Sequence, residues 1–247
     1  DIRCNTLKAS RERVLKALAP FGATATPLSP VGVRVPPADG AGRTPNLQPE
    51  AAFQAGWIEF QDEASQLAAL IAAAAHPASG QVLDYCAGGG GKTLALAAAK
   101  ANKGQIYAHD ADRHRLGPIH QRIQRAGVRN VQVRPPRAGG LDDLAGRMDL
   151  VLVDAPCTGT GVWRRRPEAK WRLSPDALEK RKDEQRTILG ETARFVKPGG
   201  RLVYVTCSLL VEENEGQVDA FRARGIGVAA VLPEPPETLR AFASARR

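Results

Sequence analysis

Val82-Leu83-Asp84-Tyr85-Cys86-Ala87-Gly88-Gly89-Gly90-Gly91-Lys92-Thr93 is the stretch that decides the fold of this 247-residue chain. An apolar run, four consecutive glycines and a helix start follow one another without a gap. Gln81 to Tyr85 reads as a strand, and Lys92 to about Asn102 as a helix. Glycines permit positive φ and let a ligand approach the backbone. The helix start beyond them offers free N–H groups.

The same alternation continues outward from this point. Upstream, Asp62 to Ala75 reads as an alanine-rich helix stopped by Pro77. Downstream, strands are predicted over Gln105–His109, Val131–Arg134, Met148–Val153 and Arg201–Val205. Helices are predicted over Asp112–Ala126, ending at Gly127, over Pro175–Phe195, ending near Pro198-Gly199-Gly200, and over Glu212–Arg224. Strands alternating with helices of this length predict an α/β domain, with a doubly wound parallel sheet and helices on both faces. Residues 1–50 read differently. Ile2–Leu7 and Val31–Val35 suggest short strands, Ser10–Leu18 a helix with Ser10 as N-cap, and Pro36–Pro49 a loop. The expected division is a small α+β amino-terminal subdomain over 1–50 and a Rossmann-like domain over 51–247.

Composition narrows the possibilities. Apolar residues make up 43% but aromatics only 5%, so the core must be built from Ala, Val, Leu and Ile. The net charge of +9 suits a nucleic-acid partner, although a merely basic protein would look the same. None of the cysteines Cys4, Cys86, Cys157 and Cys207 forms a C-x-x-C pair, so no zinc site is expected. No apolar run approaches the ~18 residues of a membrane span. Asp1-Ile2-Arg3-Cys4 is not expected to be a signal peptide. It also lacks Met, so a fragment of a longer chain is expected. A reducing, cytoplasmic setting and a monomer are the corresponding expectations.

Two readings compete for the glycine turn. Gly91-Lys92-Thr93 could end a phosphate-binding loop, with Val151-Leu152-Val153-Asp154 as the strand and Asp that hold Mg²⁺. That loop needs a glycine where Cys86 stands. The second strand, by contrast, ends at Asp110, the type of residue that accepts hydrogen bonds from ribose hydroxyls. A nucleoside cofactor without phosphates, such as S-adenosylmethionine, needs such a group. The plainer alternatives are a tight turn without a ligand, and an Asp110 that merely caps the next helix.

Two thiols follow apolar strands. Cys157 lies in Asp154-Ala155-Pro156-Cys157, and Cys207 in Thr206-Cys207-Ser208. The carboxyl ends of parallel strands share one crevice, so both thiols are expected to face one pocket. Carbon 5 of cytosine is a poor nucleophile. Addition of a thiolate at carbon 6 makes carbon 5 enamine-like and able to accept a methyl group. A base must then remove the carbon-5 proton as the sulfur leaves, and an acid near N3 helps the addition. Asp154 is placed for such contacts, and Pro156 would fix the turn presenting Cys157. Each cysteine alone could be a small buried hydrophobe. Cys4 and Cys86 are read as structural.

Trp163-Arg164-Arg165-Arg166-Pro167-Glu168-Ala169-Lys170-Trp171-Arg172 follows directly. Guanidinium and ammonium groups contact phosphates, and indoles stack on unpaired bases. A solvated basic loop with two packing tryptophans is the alternative. The Arg-rich stretch 113–137 is read mainly as an exposed helix face. A base meeting the thiol must be single-stranded or flipped.

These residues together resemble the RNA cytosine-C5 methyltransferases, specifically the bacterial Sun/Fmu type acting on 16S ribosomal RNA. Asn5-Thr6-Leu7-Lys8, Gln61-Asp62-Glu63-Ala64-Ser65-Gln66, Asp84–Thr93, Asp154–Gly161 and Thr206-Cys207-Ser208 with Glu212-Glu213-Asn214 carry the resemblance. It implies that Cys86, Ala87, Gly88, Gly89, Gly90, Gly91 and Lys92, with Asp110, Arg115 and Asp154, surround S-adenosylmethionine. It implies Cys207 as the nucleophile and Cys157 as the group assisting product release. Lys92 and Asp154 would contact the base, while Arg164, Arg165, Arg166, Lys170 and Trp171 would bind RNA, ribosomal or transfer. Three departures stand out. No acid follows the third strand in Val133-Arg134-Pro135-Pro136-Arg137. The carboxyl-terminal Pro233–Pro236 and Arg246-Arg247 replace the family's closing hairpin. The helical RNA-binding domain common at the amino terminus of the ribosomal type is absent from this chain. A non-catalytic RNA-binding or assembly factor of the same fold, and an ATPase using Gly91-Lys92-Thr93, are the rival functions.

Overall fold

The computed structural model describes residues 1–37 and 45–225. The first strands are β1 (Ile2–Cys4), β2 (Thr24–Ala25), β3 (Gly32–Arg34) and β4 (Ile58–Phe60). They form an antiparallel sheet in the order β2-β3-β1-β4. The helix α1 (Arg11–Ala17) begins at Ser10, whose hydroxyl accepts the N–H of Arg13 at 3.2 Å. That bond satisfies one of the otherwise unpaired donors of the first turn. Ile2, Cys4, Val14, Leu18, Val33 and Ile58 make a small core beneath this sheet. Because β4 pairs with β1 throughout, the antiparallel sheet extends past the expected boundary at residue 50. Neither β4 nor the one-turn helix α2 (Ala51–Gln54) was legible beforehand, since elements of three or four residues show no period.

The parallel sheet contains β5 (Gln81–Asp84), β6 (Gln105–His109), β7 (Val131–Arg134), β8 (Met148–Asp154) and β9 (Val196–Val205). Their order across the sheet is β7-β6-β5-β8-β9, and every pairing is parallel. Both faces are covered, which explains why these strands read as continuous apolar runs. Val82, Leu150 and Leu152 point to one side with Leu94 and Ala97. Leu83, Val151 and Val153 point to the other with Leu144 and Phe195. The helices are α3 (Glu63–Ala74), α4 (Gly91–Ala99), α5 (Arg113–Leu116), α6 (Ile119–Ala126), α7 (Glu168–Trp171), α8 (Pro175–Thr192) and α9 (Glu215–Arg222). This is the Rossmann-like α/β architecture expected from the sequence.

The structure changes several boundaries, among them the strand expected over Ile2–Leu7, which ends at Cys4, and the helix expected over Glu212–Arg224, which runs from Glu215 to Arg222 after a 3₁₀ turn. The helix expected over Asp112–Ala126 is two helices, α5 and α6, because Pro118 lacks an N–H and crowds the residue before it. The helix expected to reach Phe195 leaves α geometry at Thr192 and tightens to a 3₁₀ turn over Ala193–Phe195. The last strand begins at Val196 rather than Arg201, with Pro198-Gly199-Gly200 inside it. Its register against β8 shifts between Met148 and Leu150, a bulge that the two glycines accommodate. A Cβ at Gly200 would stand 2.7 Å from the Met148 carbonyl oxygen. The expected loop 36–49 lies partly, and the carboxyl-terminal segment 226–247 wholly, outside the described residues.

A charge cluster joins the two sheets. Glu59 of β4 is buried and accepts from Arg122 at 2.9 Å and from Arg125, both on α6. The buried Arg3 lies beside it and donates to Gln61 at 2.7 Å. Asn5 adds bonds of 2.8 Å to the carbonyls of Gly56 and Ala126. Arg122 and Arg125 were expected on an exposed helix face. Here they turn inward because the isolated carboxylate of Glu59 needs donors. Glu59→Ala would leave three guanidinium groups without their acid. We expect a loss of about 3 kcal/mol, the lower end for a broken buried pair because Arg122 and Arg125 keep some solvent, measured by chemical denaturation.

Candidate active site at the carboxyl edge of the parallel sheet

Strand β5 lies between β6 and β8, so the chain reverses its direction of travel across the sheet there. A crevice opens at such a switch point. Asp84 closes its floor. It is fully buried, and its Oδ2 accepts the Thr93 hydroxyl at 2.7 Å while Oδ1 has no partner. Burial pushes this carboxyl up to about 7, Thr93 opposes the shift, and the nearby acids Asp154 and Asp110 add to it. The glycine turn is shaped by contacts rather than by looseness. Gly90 has φ +83° and heads α4, and a Cβ on it would lie 2.5 Å from Ile119. The Gly88 N–H donates to Asp110 Oδ2 at 2.8 Å. The other Asp110 oxygen accepts the Asp112 N–H at 2.8 Å. Asp112 is the cap of α5, so Asp110 is free of that role. Arg115 stands 3.9 Å from Asp110. Arg122 donates to the Gly89 carbonyl at 2.6 Å and so ties the turn to the Glu59 cluster.

The candidate reacting groups lie on α4 and on the loops that follow β8 and β9. Lys92 donates to Asp154 Oδ2 at 2.6 Å across the switch point. The thiols of Cys157 and Cys207 are 3.1 Å apart. Their loops are joined repeatedly. The Gly161 N–H donates to the Cys207 carbonyl at 2.9 Å, and the Thr160 and Ser208 hydroxyls meet at 3.1 Å. Asn214 donates to the carbonyls of Ser208 and Leu210 and accepts from Thr206 at 2.6 Å. Cys207 is exposed, whereas Cys4 is buried in the small amino-terminal core.

The thiols are not equivalent. Cys157 shares its hydrogen with Cys207, which holds Cys207 below the ordinary thiol range, and Lys92 assists. The same bond, with burial, pushes Cys157 upward. Burial likewise raises Cys86, which packs against the α8 face of the sheet, and lifts Cys4 to about 11. A thiolate is the nucleophilic form, and of the two thiols Cys207 is the one whose ionisation this contact favours.

The basic loop adjoins these groups. Trp171 is 83% exposed, and the Lys170 ammonium lies 5.8 Å from the ring centres of both Trp163 and Trp171. Arg165 is paired with Asp62 at the start of α3, whereas Arg164 and Arg166 make no ion pair among the described residues. At the end of β7, Arg134 pairs with Asp143 at 2.7 Å and covers Tyr107. The phosphate-loop alternative fares badly. Its threonine would have to face a metal–phosphate group, but Thr93 is wholly buried on Asp84. Sequence reading missed Gln185, Thr158 and the structural weight of Glu213. Thr158 and Glu213 had a signal, their places in Asp154–Gly161 and in Glu212-Glu213-Asn214, and Gln185 had none.

Two pH measurements follow from these shifts. Alkylation of Cys207 by iodoacetamide should have its midpoint below the ~8.5 of an ordinary thiol, and Cys157→Ala should move it upward. Asp84 stays protonated in the fold while its unfolded counterpart ionises above ~3.9. Its contribution to stability is therefore complete below about pH 4 and is lost as pH rises to about 7. Denaturant melts of Asp84→Asn across that window should lack this slope.

The chain resembles known proteins over most of its length. Residues 72–232 match the family described as 16S rRNA methyltransferase RsmB/F. It is 34% identical over 226 residues to the probable ribosomal RNA small subunit methyltransferase B of Synechocystis, covering 90% of this chain and 49% of that protein. It is 37% identical over 228 residues to ribosomal RNA small subunit methyltransferase B of Sodalis glossinidius, covering 90% and 50%. The chain thus spans about half the length of these curated relatives. Among solved structures, NSun6 from Pyrococcus horikoshii with SFG superposes with a TM-score of 0.79 at 25% identity, covering 91% of this chain and 79% of that one. By sequence match and by fold, this chain belongs to the RsmB/F family of 16S rRNA methyltransferases.

Proposed function

We propose that the chain is the catalytic part of an S-adenosylmethionine-dependent RNA methyltransferase that acts on carbon 5 of cytosine, with ribosomal RNA of the small subunit as substrate. The observation that carries this reading is the pair of thiols 3.1 Å apart beside the Lys92–Asp154 ion pair. Transfer RNA remains the alternative substrate.

The residues at the glycine turn fit the cofactor. Gly88 leaves its backbone bare where a Cβ would stand 3.5 Å from Arg115 and 3.9 Å from Asp110. The first-turn N–H groups of α4 lack intrahelical acceptors. Cys86, Ala87 and Gly88–Gly91 would line the site, with Asp110 toward the ribose and Lys92 and Asp154 at its inner end. The relative crystallised with SFG, an S-adenosylmethionine analogue, supports the assignment. When bound, S-adenosylmethionine supplies an electrophilic methyl group.

The chain's own residues perform the rest. Cys207 as thiolate forms a bond to carbon 6, and electron density moves to carbon 5. Asp154, parted from Lys92 as the base enters, takes a proton from solvent, donates it to N3 of the base and so favours the addition. After methylation the carbon-5 proton must go to a base while the Cys207–carbon 6 bond breaks. Cys157 suits that role once it has given its own proton to solvent, which becomes easier when the bond to Cys207 is lost and Cys207 is a thioether. The Cys157 thiolate then takes the carbon-5 proton, the C–H electrons re-form the carbon 5–carbon 6 double bond, and Cys207 leaves as thiolate. Arg164, Arg166, Lys170 and Trp171 would grip an unpaired strand, with Arg165 braced on Asp62. The antiparallel amino-terminal subdomain would add contacts to the RNA.

One observation favours a second reading. The strand end where the family resemblance leads one to expect an acid carries Arg134, engaged with Asp143. A fold-retaining RNA-assembly factor without methyl transfer would tolerate this. Calorimetry with S-adenosylmethionine separates the two, since heat of binding is expected for the enzyme and none for the factor. Cys207→Ala should abolish transfer of a tritiated methyl group to RNA. Cys157→Ala should leave a protein–RNA adduct that survives a denaturing gel. Normal turnover by Cys157→Ala would overturn the division of roles between the thiols.

A further inference from the structure

We propose that Glu213 is the positioning residue that sets the distance between the two thiols, with Gln185 as its brace. The inference rests on the proposed roles of Cys157 and Cys207. Glu213 is fully buried. Its carboxylate accepts the Thr158 N–H at 2.8 Å, the Thr158 hydroxyl, and the Gln185 side-chain N–H at 3.0 Å. Gln185 also donates to the Pro156 carbonyl at 2.9 Å. The turn is thus gripped on both sides of Cys157. Glu213 itself belongs to the loop that carries Cys207, and its carbonyl accepts the Tyr204 hydroxyl of β9 at 2.8 Å. One side chain therefore pins the Cys157 turn to the segment presenting Cys207.

The chemistry of the contact explains the residue type. Three donors converge on one group, so only an acceptor without hydrogens satisfies all of them. Glu213 has no cationic partner among the described residues, and burying a carboxylate on neutral donors alone is costly. A group of equal volume without charge would be easier to bury. What the carboxylate adds is direction, because it locks the two loops in a single register. Reacting groups are sensitive to such locking, and a shift of about 1 Å can cost ~100-fold in rate.

The test is Glu213→Gln, nearly the same shape, which turns an N–H₂ group toward the donors of Thr158 or Gln185. In the full chain, diamide takes two electrons and two protons from the thiol pair, and the Cys157–Cys207 disulfide forms. Its rate is read by mass spectrometry of the protein without RNA. We expect Glu213→Gln to slow this crosslink ~10-fold or more. The kcat for RNA methylation should fall by a similar factor while KM for RNA and Kd for S-adenosylmethionine stay at parental values. The adduct seen with Cys157→Ala should accumulate. Crosslinking at the parental rate would overturn the proposal. Should Glu213→Gln fail to fold, Thr158→Val removes one of the three donors and carries the same test, with a slower crosslink expected and a parental rate fatal. Slowed crosslinking in a protein whose parent methylates no RNA would support the positioning role and sink the proposed function.

Discussion

A carboxylate sealed inside protein must be met by donors, and the chain has to bring those donors from wherever its path allows. Among the described residues, such acids stand at several junctions. Glu59 draws Arg122 and Arg125 from the parallel domain onto the antiparallel sheet. Asp84 ties the end of β5 to the start of α4 through Thr93. Asp110 holds the glycine turn by the Gly88 N–H. Glu213 clamps the two cysteine loops together. Hydrophobic burial between helices and sheet gives the layers. These acids decide how the layers and loops are registered against one another.

The consequence is a site organised by unequal demands for charge. Lys92 is shared with Asp154 at the mouth, while Asp84 below is buried deeply enough to hold its proton to about 7. The Cys207 thiol is lowered by its hydrogen bond with Cys157 and by Lys92 nearby, against burial and the opposing field of Asp154. The glycine turn links this chemistry to the amino-terminal subdomain, since Arg122 touches both the Gly89 carbonyl and Glu59. A disturbance of the antiparallel sheet therefore has a physical route to the glycine turn.

Much of the fold was legible in the residues. The strands Gln105–His109 and Val131–Arg134 agree with the structure at both ends, because apolar runs bounded by Gly, Asn and Asp leave little choice. The Ser10 cap was legible for the same local reason. The single-helix reading of 112–126 failed because amphipathic period outweighed Pro118. The strand start at Val196 was missed because Pro198-Gly199-Gly200 reads as a turn, although a bulge absorbs it. Asp110 left two readings open, and the structure gives the cap of α5 to Asp112.

What the sequence determined by itself was the α/β layering, the strand-ending positions of Cys157 and Cys207, and the basic loop between them. Those are properties of local pattern and spacing. Only the tertiary structure decided that the sulfurs touch, that Lys92 faces Asp154, and that Glu213 with Gln185 fixes the Cys157 turn. Those facts depend on side chains far apart in the chain, whose pairing is set by three-dimensional packing and by the need of each buried acceptor for a donor. A one-dimensional pattern records which groups exist, and the fold chooses which of them meet.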